Sequence, residues 1–366
     1  MTNTRVMIVD DSAVIRKLLN DVLASEQGIQ VVCAASDGND CLRQVAEAAP
    51  DVIVLDVEMP NLDGLGTLRE LRSRRLTVPV IMFSTLTERG SKATIEALTL
   101  GASDYVAKPS NTGDFMSSIK RVREDLVPKI RALHRDRAKS PVAANAATAT
   151  PSRPQPRPTT ASFALPGRGA AVDAVVIGVS TGGPNALAEF IPQLPAELPV
   201  PVFIVQHMPA TFTPLLAERL DQRARLKVIE ATDGMLVEAG KVYIAPGDFH
   251  MTVVRELTRR VIRLNQEKPE NSCRPAADVL FRSAAEAYDR RLLGVVMTGM
   301  GHDGTVGARA IKSKGGQVIV QDEASSVVWS MAGSVFRAGL ADGQFALQDL
   351  ARATVQHVGQ AAQPRV

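Results

Sequence analysis

A chain of 366 residues exceeds the size of one ordinary hydrophobic core, and its 45% hydrophobic and 22% charged residues are typical of globular domains, so we expect two of them. The formal net charge of +3 is too small to indicate a nucleic-acid partner. The three cysteines lack paired spacing, no apolar run approaches about eighteen residues, and the N-terminus leads directly into a strand. We therefore expect a cytoplasmic protein without disulfides, signal peptide or direct membrane insertion.

The first third of the chain alternates short apolar runs with amphipathic segments. The runs are RVMIVD, IQVVCA, DVIVLD, PVIMFS and DYVAKP. This pattern predicts β/α units in a small, doubly wound parallel sheet of the flavodoxin-like type. Ligands bind such sheets at the carboxyl ends of the strands, so the residues that follow each run are the candidates for function.

Polar residues close four of these runs: Asp10 with Asp11, then Asp56, Ser84 and Lys108. Carboxylates that converge at one sheet edge repel one another unless a cation neutralises them, and a set of oxygen ligands suits Mg²⁺. One carboxylate can then accept a phosphoryl group. Any single acid here could simply cap a helix, but the whole set favours a phosphorylation site.

On these residues, positions 1–125 resemble a response-regulator receiver domain. The resemblance implies a Mg²⁺ site formed by Asp10, Asp11, Asp56 and the backbone carbonyl of Glu58. It makes Asp56 the phosphoacceptor, and it implies a phosphorylation switch formed by Ser84, Tyr105 and Lys108.

A composition change separates the two halves of the chain. A helical segment is predicted to end near Leu133, and residues 135–169 are rich in Ala, Pro, Thr, Ser and Arg without the periodicity that a core requires. We therefore assign residues 126–170 to a helical extension and a disordered linker. About forty flexible residues span roughly 35 Å, enough for the two domains to dock or separate.

The second half opens with DAVVIGVSTGG at residues 173–183, which predicts a buried strand, a tight turn and a helix start. Ser180 lies at the end of that strand. Residues 178–182 fit the G-x-S-x-G nucleophile elbow, but a strand, a glycine turn and a helix can equally bind phosphate. This stretch alone leaves both chemistries open.

Two later strands end in further polar residues. PVFIVQH ends at His207, and RLLGVVMTG leads into a glycine-rich turn that contains Asp303. We predict a second doubly wound, Rossmann-like sheet, with GGQVIVQD as its final strand and with KVYIAP, HMTVVR and RVIRLN as antiparallel excursions. If the main strands are parallel, Ser180, His207 and Asp303 emerge at one edge, as a Ser-His-Asp hydrolase requires. Their chain order differs from that of the α/β-hydrolase fold.

Other residues compete for these roles. His250 and His302 are alternative bases, but His207 is favoured because it ends a strand at the inferred edge. Cys273 is not favoured as a nucleophile because its position indicates no partner. Backbone amides near residues 181–183 or 300–301 could bind an oxyanion.

Residues 172–359 resemble the catalytic domain of the chemotaxis protein-glutamate methylesterase family, and the expected domain spans 171–361. The matching motifs are GVSTGGP at 178–184, QHMPATFTPLLAERLD at 206–221, YIAPGDFHM at 243–251, RPAADVLFRS at 274–283 and MTGMGHDG at 297–304. The resemblance implies a triad of Ser180, His207 and Asp303, an oxyanion donor at the Met300 amide, and no cofactor for the esterase. The chain departs from the family pattern at Ala276 and at residues 330–332.

The resemblance further implies hydrolysis of glutamate methyl esters on the cytoplasmic part of methylated chemoreceptors, deamidation of certain glutamines, and a chemotaxis histidine kinase as phosphodonor. We expect the unphosphorylated receiver to cover the edge that carries Ser180. From the residues alone, a phosphorylation-controlled binding module or a DNA-binding protein are the alternatives. The absence of G-x-G-x-x-G spacing disfavours the first, and the absence of a helix-turn-helix pattern disfavours the second.

Overall fold

The computed structural model describes residues 3–85, 87–109, 115–139 and 172–359. These residues form two α/β domains, each built on one parallel sheet, which confirms the predicted fold class. Within the described ranges, no helix is both long enough and apolar enough to cross a bilayer.

The described part of the first domain contains five strands and five helices. They are β1 Thr4–Val9, α1 Ala13–Ala24, β2 Ile29–Ala35, α2 Gly38–Ala48, β3 Val52–Asp56, α3 Gly64–Ser73, β4 Val80–Ser84, α4 Glu88–Thr99, β5 Asp104–Ala107 and α5 Phe115–Lys139. All strands are parallel, in the order β2-β1-β3-β4-β5. This is the doubly wound order in which the crevice lies beyond the ends of β1 and β3.

Helix α5 continues past its predicted end near Leu133 and reaches Lys139. The linker prediction therefore began too early. Residues 134–139 are polar and lack apolar periodicity, but Arg, Ala and Lys among them are good helix formers. The remainder of the predicted linker lies outside the described residues.

The second domain follows the same plan with more strands. Its elements are β6 Ala174–Val179, α6 Gly183–Phe190, β7 Val202–Gln206, α7 Thr213–Asp221, β8 Lys227–Glu230, β9 Lys241–Ile244, β10 His250–Glu256, β11 Arg259–Asn265, α8 Ala277–Tyr288, β12 Leu292–Val296, α9 Thr305–Ser313, β13 Gln317–Gln321, α10 Met331–Arg337, β14 Gly343–Phe345 and α11 Leu347–Gly359. The parallel sheet has the order β14-β13-β12-β6-β7-β9-β8, and β10 and β11 form the predicted antiparallel pair.

The prediction for KVYIAP was wrong. This run forms β9, which pairs in parallel with both β7 and β8. Strands β8 and β14 were not predicted. Strands of three or four residues are too short to show a periodicity, and their direction depends on where the preceding loop returns to the sheet.

Strand β6 lies between β12 and β7 in the middle of the second sheet. Gly178 pairs with Val296 on one side and with Val205 on the other, so the three strands end at nearly the same level. The loops that follow them therefore leave from one edge, and these loops carry Ser180, His207 and Asp303.

Candidate functional site

The carboxyl edge of the first sheet carries an acidic cluster. Carboxylate oxygens of Asp10, Asp11 and Asp56 lie within 4.8 Å of one another, with Asp10 and Asp56 buried and Asp11 exposed. Lys108 Nζ lies 2.8 Å from Asp10 Oδ2 and 2.7 Å from Asp56 Oδ2. Burial raises the pKa of Asp56 to about 6, although Lys108 partly offsets this. Three carboxylates against one ammonium group leave surplus negative charge, which fits a divalent cation.

The other predicted receiver residues surround this cluster. The backbone N–H of Glu58 donates to Asp56 Oδ1 at 3.3 Å. The Ser84 hydroxyl donates to the carbonyl of Gly90 at 3.2 Å. Tyr105 is buried on the adjacent strand β5. All the residues proposed for phosphorylation and switching thus belong to one edge or to the strand next to it.

Ser180 occupies a tightly held turn at the end of β6. Its N–H donates to the Thr298 carbonyl at 3.0 Å, and its own carbonyl accepts from Gln206 Nε2 at 3.0 Å. Gly182 has φ +77°, a conformation that glycine adopts without steric cost, and helix α6 begins immediately after it. A Cβ at Gly299 would lie 2.9 Å from the Ser180 Cβ, so only glycine lets the loop after β12 pass this close to the serine.

His207 and Asp303 meet at the same edge. His207 Nε2 lies 2.7 Å from Asp303 Oδ2, and the side chains are 12% and 2% exposed. Burial alone would lower the pKa of His207, but hydrogen bonds with Asp303 and Cys273 raise it above its usual range. Burial would likewise raise the pKa of Asp303, but His207 and backbone amides lower it. These pKa shifts favour an ionised Asp303 carboxylate beside a His207 imidazole that binds a proton readily.

The second nitrogen of His207 contacts a thiol. Cys273 Sγ lies 3.5 Å from His207 Nδ1, and no hydrogen bond links the Ser180 hydroxyl to either His207 nitrogen within the described ranges. The sequence position of Cys273 indicated no partner, and the structure shows that its thiol contacts His207. Cys273 and His207 are 66 residues apart, and the loop before α8 brings them together without any signal in the local sequence.

The two alternative histidines make other contacts. The His250 ring is buried between the Lys268 carbonyl, 3.2 Å from Nε2, and the Ala276 N–H, which donates to Nδ1 at 3.3 Å. His302 is exposed on the loop next to Asp303. Neither ring makes a hydrogen bond to Ser180 among the described residues. The geometry thus favours His207, in line with its position at a strand end.

A cavity of about 690 Å³ lies over this edge. Ser180, His207 and Met300 line one side of it, and Asp104 and Tyr105 of the first domain line the other. The Ser330 hydroxyl, at one departure from the family pattern, donates to the Gly301 carbonyl at 2.9 Å and so supports the Met300 loop. Ala276, at the other departure, is fully buried.

The first domain contacts the second beside Ser180. The Thr181 hydroxyl donates to Asp104 Oδ2 at 2.7 Å in a buried position. Asn185 Nδ2 donates to the Ala102 carbonyl at 2.9 Å. The rings of Tyr105 and Phe212 lie 4.7 Å apart between centroids, tilted by 36°. These contacts place the first domain against the second where both line the cavity. No sequence pattern indicated them.

Comparisons with known proteins match both domains. The family model described as CheB methylesterase matches residues 175–354, and the response regulator receiver domain model matches residues 6–120. A protein-glutamate methylesterase/protein-glutamine glutaminase of Trichodesmium erythraeum is 45% identical over 98% of this chain and 100% of its own length. A relative with the same name from Nocardioides sp. is 46% identical over 96% of this chain and 94% of its own.

Among solved structures, the Thermotoga maritima CheB methylesterase catalytic domain is 42% identical, with a TM-score of 0.50, over 51% of this chain and 98% of that one. The similarity thus covers both domains and the order in which they follow each other in the chain. The chain belongs to the CheB methylesterase family, with a response regulator receiver domain ahead of the esterase domain.

Proposed function

We propose that this chain hydrolyses glutamate γ-methyl esters on the cytoplasmic part of chemoreceptors, releases methanol, and thereby serves receptor adaptation. The observation that carries the proposal is the His207–Asp303 pair at 2.7 Å, on the sheet edge that also holds Ser180. The names of the relatives, which include glutaminase, support deamidation of glutamine by the same acyl transfer.

In the proposed reaction, the Ser180 hydroxyl attacks the ester carbonyl while His207 accepts its proton. Because Nε2 is engaged with Asp303, Nδ1 is the accepting atom, so Ser180 replaces Cys273 as its partner during catalysis. His207 then protonates the departing methoxide, and water attacks the acyl-enzyme by the same route. General-base catalysis contributes about 10²–10⁴-fold. The Met300 amide is the proposed oxyanion donor, worth about 3–4 kcal/mol.

The receiver, over residues 1–125, is proposed to control this reaction through phosphorylation of Asp56 by a chemotaxis histidine kinase. Asp10, Asp11, Asp56 and the Glu58 carbonyl would hold Mg²⁺, which neutralises the carboxylates and the incoming phosphoryl oxygens when bound. Lys108 already lies at the phosphoacceptor, 2.7 Å from Asp56 Oδ2. Residues 126–170 then act as helical extension and tether in the cytoplasm, and residues 171–361 as the esterase.

Strand β5 connects the two sites. It carries Asp104 and Tyr105, which contact the esterase domain, and Lys108 follows it directly. We infer that phosphorylation moves Ser84 and Tyr105 toward their activated positions and weakens docking. A shift from 1:99 to 99:1 takes about 5.5 kcal/mol, and one phosphoryl group supplies only part of this, so activation of a few tens of fold is expected.

Methanol release from methylated receptor membranes tests the proposal. Wild type should release methanol, and Ser180→Ala should fall to the uncatalysed rate; equal rates would contradict the assignment of the nucleophile. A small phosphodonor should activate wild type but not Asp56→Asn. Activation that survives in Asp56→Asn would contradict the assignment of the phosphoacceptor. A binding module without chemistry would release no methanol in any of these samples.

A further inference from the structure

The loop that precedes α8 lies outside the sheet and contacts two residues of the proposed triad. Its Asn271 contacts Asp303, and its Cys273 contacts His207. Its tip is a tight turn in which Glu270 and Cys273 exchange backbone hydrogen bonds of 3.1 and 2.9 Å. The two central residues have positive φ, +53° at Asn271 and +62° at Ser272. This is the type I′ geometry, which asparagine tolerates well and serine does not. The turn therefore fixes the direction of the Asn271 side chain at some conformational cost.

Asn271 bridges two buried carboxylates. Its Nδ2 lies 2.9 Å from Asp278 Oδ2 and 3.0 Å from Asp303 Oδ1, and an amide nitrogen has one hydrogen for each acceptor. Asp278 is fully buried, and burial together with the charge of Asp303 raises the pKa of Asp278 to about 6. Two neighbouring carboxylates would repel each other, and a shared amide donor between them reduces that repulsion.

The remaining donors to Asp303 are backbone N–H groups and His207, and the Asp278 carboxyl group also lies close enough to interact with Asp303 directly. Oδ1 also accepts from the N–H groups of Asp278 and Gly304 at 3.0 Å, and Oδ2 accepts from the Ala277 N–H at 2.6 Å. Within the described part of the chain, Asn271 is thus the one side chain besides His207 that donates to Asp303.

We propose that Asn271 is a positioning residue, which orients the Asp303 carboxylate toward His207 Nε2 through its bridge to Asp278. This inference rests on the proposed function. A carboxylate held at both oxygens keeps the imidazole in the tautomer that leaves Nδ1 free for Ser180. Without the amide, Asp303 keeps its charge and its backbone donors, but Asp303 and Asp278 lose the donor that they share. Their repulsion then shifts Asp303 out of its alignment with His207, so turnover should fall while receptor binding should not change.

Two variants separate positioning from turn formation. Asn271→Gly keeps the turn, because glycine adopts positive φ freely, and removes only the amide. Asn271→Asp also tolerates the turn but replaces the donor with a third carboxylate. Ser272→Gly is the matched control, because it relaxes the second turn residue and leaves the bridge intact.

The assay is methanol release by the full chain with a small phosphodonor and methylated receptor membranes. We expect Asn271→Gly to lower kcat about ten- to a hundredfold with KM unchanged, and Ser272→Gly to keep the wild-type kcat. In Asn271→Asp the added charge stabilises the imidazolium, so the acidic limb of the pH profile should move upward by about one unit. Besides Asp278 and His207, the charged neighbours of Asp303 are Glu270 and Arg282, which pair with each other at 2.6 Å.

Two results would overturn the inference. One is a kcat for Asn271→Gly within twofold of wild type while Ser180→Ala is inactive, which would leave the proposed function standing. The other is an equal fall in kcat for Asn271→Gly and Ser272→Gly, which would assign the effect to the turn. If Asn271→Gly folds poorly, the kcat of Asn271→Asp decides, because that variant also lacks the amide donor, and a kcat within twofold of wild type would contradict a carboxylate-orienting role. Full activity of Ser180→Ala would instead remove the proposed function itself.

Discussion

Substitution of Asp104 by alanine should activate the esterase without phosphorylation. Asp104 Oδ2 accepts a buried hydrogen bond of 2.7 Å from the Thr181 hydroxyl, next to the proposed nucleophile. A hydrogen bond to a charged group contributes about 1.5–3 kcal/mol. If about 1% of molecules are undocked without phosphorylation, loss of this hydrogen bond raises the undocked fraction to between about 10% and 60%. Basal methanol release should therefore rise at least about tenfold.

Asp125→Ala is the matched control for this experiment. Asp125 Oδ1 pairs with Lys129 at 3.1 Å, as Asp104 does at 3.5 Å, but no hydrogen bond in the described ranges joins it to the second domain. We expect its basal rate to stay within twofold of wild type. The added phosphodonor should bring wild type and Asp104→Ala to similar rates. A basal rate of Asp104→Ala equal to that of wild type, in a variant that still responds to phosphodonor, would refute this account of docking.

Three further outcomes are expected. Tyr105→Ala loses the ring contact with Phe212, worth about 0.5–1.5 kcal/mol, and should raise basal methanol release about two- to tenfold; an unchanged rate would exclude this contact from docking. Lys108→Ala, or removal of Mg²⁺ with a chelator, should abolish activation by a small phosphodonor and preserve the basal rate, whereas a retained response would contradict the proposed phosphorylation site. The pKa of Asp278 is raised to about 6, so its contribution to stability is present below about pH 4 and lost as the pH rises through 6. Between pH 4 and pH 7.5, the free energy of unfolding of Asp278→Asn should rise by up to about 3 kcal/mol relative to that of wild type. Urea titration followed by the fluorescence of the one tryptophan, Trp329, measures both free energies. A difference between the two proteins that does not change with pH would refute the assignment.

The long strands and the residues that end them were predictable from the sequence. Buried parallel strands appear as continuous apolar runs, and the residue after each run lies at the edge where ligands bind. Asp56, Ser180 and His207 were found in this way. Asp303 required one more step, because it lies in the loop after β12 and not directly at the strand end.

The contacts made by returning loops were not predictable. Asn271 and Cys273 reach Asp303 and His207 through a turn whose position depends on the packing of α8 and the β10–β11 pair. The same limit applies to the contact between Asp104 and Thr181, which depends on how two separately folded surfaces fit together. Periodicity and motif spacing describe single elements, so they carry no information about contacts between residues that lie far apart in the sequence.

The contact between the domains joins two parts of one polypeptide. The two hydrogen bonds and the tilted ring pair described above would by themselves hold separate proteins together only at high concentration. A tether of suitable length gives an effective concentration in the millimolar range, which dilution of the protein does not change. Weak contacts are then sufficient for docking, and their weakness has a benefit. Under the proposed regulation, the domains stay close enough to rejoin after dephosphorylation, and the free energy needed to separate them stays small enough for one phosphoryl group to supply a useful part of it.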